Sequence, residues 1–153
     1  MENKVILKRT LIIGIVVILI DQILKIIAIN LCSNGSVEII QNIFSIDYTK
    51  NIGVAFSLNK DNLKNIIISA CIIIFIIRYL FTQKKFLNPI TLTCLDMVIA
   101  GGISNLIDRI LRGGVVDFIK VLNFPIFNFA DIMVVLGWVL FAIYILKIEV
   151  IKK

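Results

Sequence analysis

Asp117 and Asp131 stand 14 positions apart in "GGVVDFIKVLNFPIFNFAD", a stretch that is otherwise almost wholly apolar. Two carboxylates held close together cannot both ionise easily, so they share one proton. Such a pair can hydrolyse an amide. The ionised member takes a proton from water, and the protonated member donates to the carbonyl oxygen as that carbon becomes tetrahedral. The chain has no histidine, which removes Ser-His-Asp and Cys-His catalysis and His-ligated metal sites. Cys32, Cys71 and Cys94 have no CxxC spacing and are expected to pack as small apolar residues. Neither a metal nor a cofactor is expected.

Other polar residues interrupt the apolar runs. Asp21 and Lys25 are i,i+4, on one helical face, where they can pair. Asn105, Asp108 and Arg109 cluster near the end of a third run, and Asn128 and Asp131 are i,i+3 at the start of a fourth. Each has a plain structural role open to it: an ion pair, a helix cap, an interfacial anchor. Asp131 at a helix N-terminus suits the dipole there. Asp96 is expected to satisfy itself locally. Yet Asp21, Asn51, Asn105, Asp108, Asp117, Asn128 and Asp131 all map to one level of the protein, and ionisable groups at membrane depth are costly unless they have a task. The spacing leaves open which two aspartates pair.

The elements that must position them are membrane helices. The chain is 59% hydrophobic with a mean hydropathy of +1.03, beyond the range of a soluble domain. Apolar runs predict four transmembrane helices at about 10–31, 65–81, 90–107 and 127–148. Residues 33–64 form an extracytoplasmic β region, in which "FSIDYTK" alternates as a strand and "KNIG" turns before a second apolar piece, "VAF". Residues 111–126 are too apolar to be solvated and are expected as an interfacial loop. The expected fold is therefore an all-α membrane protein with a small outer β-sheet, as one domain over 1–153. The net charge of +6 comes from clusters flanking the runs (Lys4, Lys8 and Arg9; Arg78, Lys84 and Lys85; Lys147, Lys152 and Lys153). That pattern places both termini in the cytoplasm and speaks against nucleic acid.

Five blocks, "DQILK" (Asp21 to Lys25), "NIGVAF" (Asn51 to Phe56), "GGISNLIDR" (Gly101 to Arg109), "GGVVDF" (Gly113 to Phe118) and "FNFAD" (Phe127 to Asp131), resemble in order the motifs of the lipoprotein signal peptidases, or signal peptidase II. The resemblance spans nearly the whole chain. It implies an aspartic endopeptidase of the bacterial plasma membrane that removes the signal peptide of diacylglyceryl-modified prolipoproteins, cutting just before the lipid-bearing cysteine. It implies Asp117 and Asp131 as the catalytic pair and Asn51, Asn105, Arg109 and Asn128 as substrate-holding residues. Asp21, Lys25, Gly53, Asp108 and Ala130 match supporting positions, and globomycin is the implied inhibitor. Ser104 departs from the glycine common in the family, so the inference of close helix packing from small residues is slightly weaker there. The rival reading is a small four-helix proton-coupled exporter, which would need carboxylates near the midplane rather than crowded toward one surface.

Overall fold

The computed structural model describes residues 2–53, 61–82 and 88–151. Four helices carry most of it: α1 (Glu2–Leu31), α2 (Asn62–Thr82), α3 (Pro89–Arg112) and α4 (Phe129–Ile151). Each contains a segment long and apolar enough to cross a bilayer. In hydrocarbon every backbone N–H and C=O must be satisfied within the chain, so uninterrupted apolar runs of this length become helices. Their outer faces stay apolar. Leu11, Ile15, Leu19 and Ile23, at i,i+4 spacing along α1, are each more than half exposed.

The central helix is α3, packed against α1, α2 and, most extensively, α4. Its start is set by Asn88, whose side-chain oxygen accepts from the N–H groups of Ile90 and Thr91 at 3.0 and 3.1 Å. The Thr91 hydroxyl accepts from the Asn88 N–H in return, and Pro89 fills the first helical position, where no N–H is needed. Gly113, at φ 70°, closes the other end in the left-handed conformation that glycine takes without strain. The α3–α4 seam is tight because it has glycines on both sides. A Cβ on Gly101 would fall 2.5 Å from the Ala130 carbonyl oxygen, and one on Gly137 would fall 2.5 Å from that of Cys94. Below the seam, Ile76, Leu95 and Val98 form a core with Val134 and Phe141 against it.

Three antiparallel strands cap one end of the bundle in the order β1 (Val37–Ile40), β2 (Phe44–Asn51), β3 (Val115–Val121). The expected strand "FSIDYTK" is β2. β3 lies in the middle of the segment read from sequence as an interfacial loop. Val115, Val116, Asp117 and Phe118 are buried in succession, and a strand covered on both faces reads as a continuous apolar run, without the alternation that identifies a strand. Only the turn after it, where Leu122 and Phe124 are well exposed, keeps the character of an apolar loop. The expected piece Val54 to Phe56 and most of the Thr82 to Asn88 loop lie outside the described residues.

Between sheet and bundle lies a buried charge cluster. The Lys25 Nζ is 2.7 Å from Asp21 Oδ2 and 2.7 Å from Asp108 Oδ2, with none of the three side chains exposed. Asp21 also accepts from the Ser104 hydroxyl at 2.7 Å and the Ala130 N–H at 2.8 Å. Asp108 accepts from the Val116 N–H at 3.1 Å, from Gln22 Nε2 at 3.0 Å, and from Arg112. One cluster thereby ties α1, α3, β3 and the first turn of α4. Lys25→Met should strand two facing carboxylates and lower stability by about 3–5 kcal/mol, read as a lower thermal unfolding temperature in detergent. In the same assay Gly137→Ala should cost about 1–3 kcal/mol by overpacking. Gly102→Ala should be close to neutral, since a Cβ there meets only the Ile73 side chain, at 3.3 Å.

Candidate active site

Asp117 sits on β3 opposite Thr49 of β2, beyond an irregularity in the β2–β3 register between Ile46 and Thr49. Such a bulge re-aims side chains at the edge of a site. After β3 the chain turns through Leu122 (φ 48°) and runs back along the strand. The Phe127 N–H donates to the Ile119 carbonyl at 3.1 Å, and the N–H groups of Phe118 and Ile119 donate to the Phe127 carbonyl at 3.0 and 2.8 Å. This return brings the start of α4, with Asn128 and Asp131, alongside Asp117.

Asn128 joins the two carboxylates. Its Nδ2 donates to Asp117 Oδ1 at 2.7 Å, its backbone N–H donates to Asp131 Oδ2 at 3.2 Å, and its Oδ1 accepts from the Asp131 N–H at 2.9 Å. The last two bonds form a reciprocal cap on α4. The other two oxygens are also held. Asn51 Nδ2 donates to Asp117 Oδ2 at 3.0 Å, and Asn105 Nδ2 donates to Asp131 Oδ1 at 2.8 Å. Asn105 Oδ1 in turn accepts from Lys25 at 3.0 Å and from Asn128 Nδ2 at 3.2 Å. The pair is thus connected, through one asparagine, to the Asp21–Lys25–Asp108 cluster.

Asp117 is 3% exposed. Burial pushes its carboxyl up to about 6; the Asn51 hydrogen bond opposes this, the Asp131 charge adds to it, and Asn128 and Lys25 pull back. Arg109, also buried, interacts with the charges of Asp131 and Asp117. Its Nη2 donates to the Gly53 carbonyl at 3.4 Å, while its Nε has no partner among the described residues. Among the described residues, Asp21, Asp108, Asp117 and Asp131 lie with Lys25, Arg109 and Arg112 around the site, and Lys50 lines the pocket wall. Among the described residues no group of acidic or thiol side chains is arranged to hold a metal ion.

The pocket above the pair measures about 610 Å³ and is bounded by Asn51, Gly53, Asn105, Arg109, Asp117 and Asp131, with Phe124 and Phe127 at its edge. An adjoining crevice of about 210 Å³ shares Asn105, Arg109 and Asp131 and continues between α2 and α4 past Ser69, Ile76 and Trp138.

The structure brings together every residue singled out above except Asp96, which lies elsewhere on α3. Gly53 contributes its carbonyl to Arg109, and Ala130 its N–H to Asp21. The Ser104 hydroxyl is one of the ties to Asp21. Four residues escaped the sequence reading. Gln22 and Arg112 bond each other at 2.8 Å and both reach Asp108. Asn62 and Asn65 are the others. Asn65 is fully buried and its Nδ2 holds the Ile52 carbonyl at 2.9 Å, while Asn62 Nδ2 holds that of Arg109 at 3.0 Å. Two asparagines at i,i+3 entering an apolar helix carry the same signal as Asn128 and Asp131, so they could have been found.

The polar groups crowd toward one end of the bundle, which removes the main requirement of an exporter. Comparison with known proteins agrees. The family model for signal peptidase (SPase) II matches residues 13–147. The lipoprotein signal peptidase of Clostridium tetani is 41% identical over 138 residues, covering 85% of this chain and 87% of that protein. That of Staphylococcus aureus is 32% identical over 152 residues, covering 96% and 93%. A bacterial membrane enzyme solved at 2.3 Å by the in meso method superposes with a TM-score of 0.83 at 31% identity, over 95% of this chain and 92% of that one. A second, solved at 1.9 Å, gives 0.77 at 30% identity, over 92% and 94%. With its four spans, its small sheet at one end of the bundle and this agreement over nearly its full length, the chain belongs to the signal peptidase II family of intramembrane aspartic endopeptidases in the bacterial membrane.

Proposed function

We propose that Asp117 and Asp131 are the catalytic pair of this peptidase, and that it cuts diacylglyceryl-modified prolipoproteins immediately before the lipid-bearing cysteine. The observation that carries the assignment is the position of Asn128, bonded to both carboxylates at the floor of the pocket. Asp117, with its carboxyl raised to about 6, holds the shared proton. Asp131 is the ionised member. A water between them gives a proton to Asp131 as its oxygen bonds to the scissile carbonyl carbon, while Asp117 protonates the carbonyl oxygen. The tetrahedral diol then collapses. The C–N bond breaks, the cysteine nitrogen takes the proton from Asp131, and a hydroxyl proton returns to Asp117, leaving one proton on the pair.

Asn51, Asn105 and Arg109, which bound the pocket, hold the substrate backbone, Arg109 through the Nε that has no partner among the described residues; Asn128, expected with them, has no exposed surface and acts by positioning the two carboxylates. Asp21, Lys25, Gly53, Asp108 and Ala130 support them by the contacts described above. The signal segment lies along the crevice between α2 and α4, and the acyl chains remain in the lipid beside Phe124 and Phe127. The basic flanks of the helices support cytoplasmic termini and a site near the outer leaflet. Globomycin is expected to bind in the same pocket and inhibit.

With purified protein and a diacylglyceryl prolipoprotein, Asp117→Asn and Asp131→Asn should each lower kcat by at least about 10³-fold. The double variant should be little worse than either. The same precursor without its lipid should be cut poorly. Near-normal turnover by Asp117→Asn in a gel-shift assay would refute the pairing. The pH profile follows from the raised Asp117 carboxyl. The one-proton form of the pair is lost as pH rises through about 6, so kcat/KM should fall on the alkaline side, with a midpoint there or higher where lipid and substrate exclude more water.

A further inference from the structure

On the other side of α3, the bundle holds a second cavity, of about 370 Å³, between α1, α2 and α3. Its wall includes Gly14, Ile15 and Ile18 of α1, Ile77 of α2, and Asp96 and Ile103 of α3. Positions 96 and 103 of α3 face this cavity, whereas 98, 102, 105 and 109 face the crevice below the catalytic pair. The two spaces therefore lie on different faces of one helix.

The lining is apolar but for Thr10 and Asp96. The Asp96 carboxyl fits the notch left by Gly14, where a Cβ would come within 2.8 Å of its Oδ1. Among the described residues its buried Oδ2 has no hydrogen-bond partner and no lysine or arginine pairs with it. An ionised carboxyl within a membrane span is costly, so with no described cation beside it an added positive charge there is stabilising. Along α3 the lining runs from Leu92 to Ile103, roughly 16 Å at about 1.5 Å per residue. A slot of that length and volume takes an extended chain, whereas a helix, about 10–12 Å across, does not fit.

We propose that this slot binds an amphiphile with a primary-amine head and an alkyl tail. The ammonium meets the Asp96 carboxyl from the cavity side, bringing positive charge and three N–H donors. The tail lies along Ile15, Ile18, Ile77 and Ile103. A neutral alcohol of the same length offers one donor and no charge, and an anionic amphiphile meets like charge.

The test uses the full chain in nanodiscs of a choline phospholipid, whose head group has no N–H. A photoreactive dodecylamine is titrated in, with the matching dodecanol probe as control, and the labelled peptides are mapped. Saturable labelling within residues 10–18 or 92–103 by the amine, displaced by unlabelled dodecylamine and at least tenfold weaker in Asp96→Asn, is the expected result. Equal labelling by amine and alcohol, or an unchanged affinity in Asp96→Asn, would overturn the proposal and leave a lipid-filled crevice. Cleavage of a lipoprotein precursor by Asp96→Asn should stay near that of the parent. That control shows the variant is folded, and it separates failure of this site from failure of the peptidase assignment.

Discussion

A lysine ammonium with no exposure to solvent, held between two equally buried carboxylates, is the constraint on which the rest of this structure rests. Lys25 would be very costly in a bilayer alone, as would Asp21 and Asp108. Together they neutralise most of one another's charge, and each carboxylate then spends its remaining acceptor capacity on a different element. Asp21 holds the Ala130 N–H at the start of α4 and the Ser104 hydroxyl on α3. Asp108 holds the Val116 N–H on β3. The residue after Val116 is Asp117, and the residue after Ala130 is Asp131. The two proposed catalytic side chains are therefore each one peptide unit from a backbone group fixed by the same ion cluster.

The cluster also bears on the proton that the proposed chemistry needs. Lys25 reaches the pair through Asn105, which bonds Asp131. The amides of Asn51, Asn105 and Asn128 offer donors without adding charge. Burial and the neighbouring Asp131 charge both disfavour a second negative charge on Asp117, which favours the one-proton state an aspartic peptidase requires. The arrangement also accounts for why so many polar residues converge at one end of so apolar a chain.

Much of this was legible in the residues. Four apolar runs gave four helices, the alternation of Phe44 to Lys50 gave β2, and the i,i+4 and i,i+3 spacings gave the Asp21–Lys25 pair and the Asn128–Asp131 cap. β3 was hidden because burial on both faces erases the period of two. Asp108 as the second partner of Lys25 could not be read, since it is a contact between helices separated by most of the chain. Ser104 read as a departure because its type was weighed without its neighbour Asp21. Asn62 and Asn65 were overlooked beside the louder signal of charge, although a buried amide in an apolar helix is just as much in need of a partner.

The central claim is that Asp117 and Asp131 hold one proton between them in the resting enzyme. Infrared difference spectroscopy of the protein in lipid, with aspartate carboxyls isotope-labelled and the Asp117→Asn variant as the reference, measures this directly. The account predicts a single protonated carboxyl signal from the pair at pH 5, absent in the variant and fading as pH rises through about 6 or somewhat above. Two ionised carboxylates at pH 5, or two protonated ones at pH 7, would contradict it.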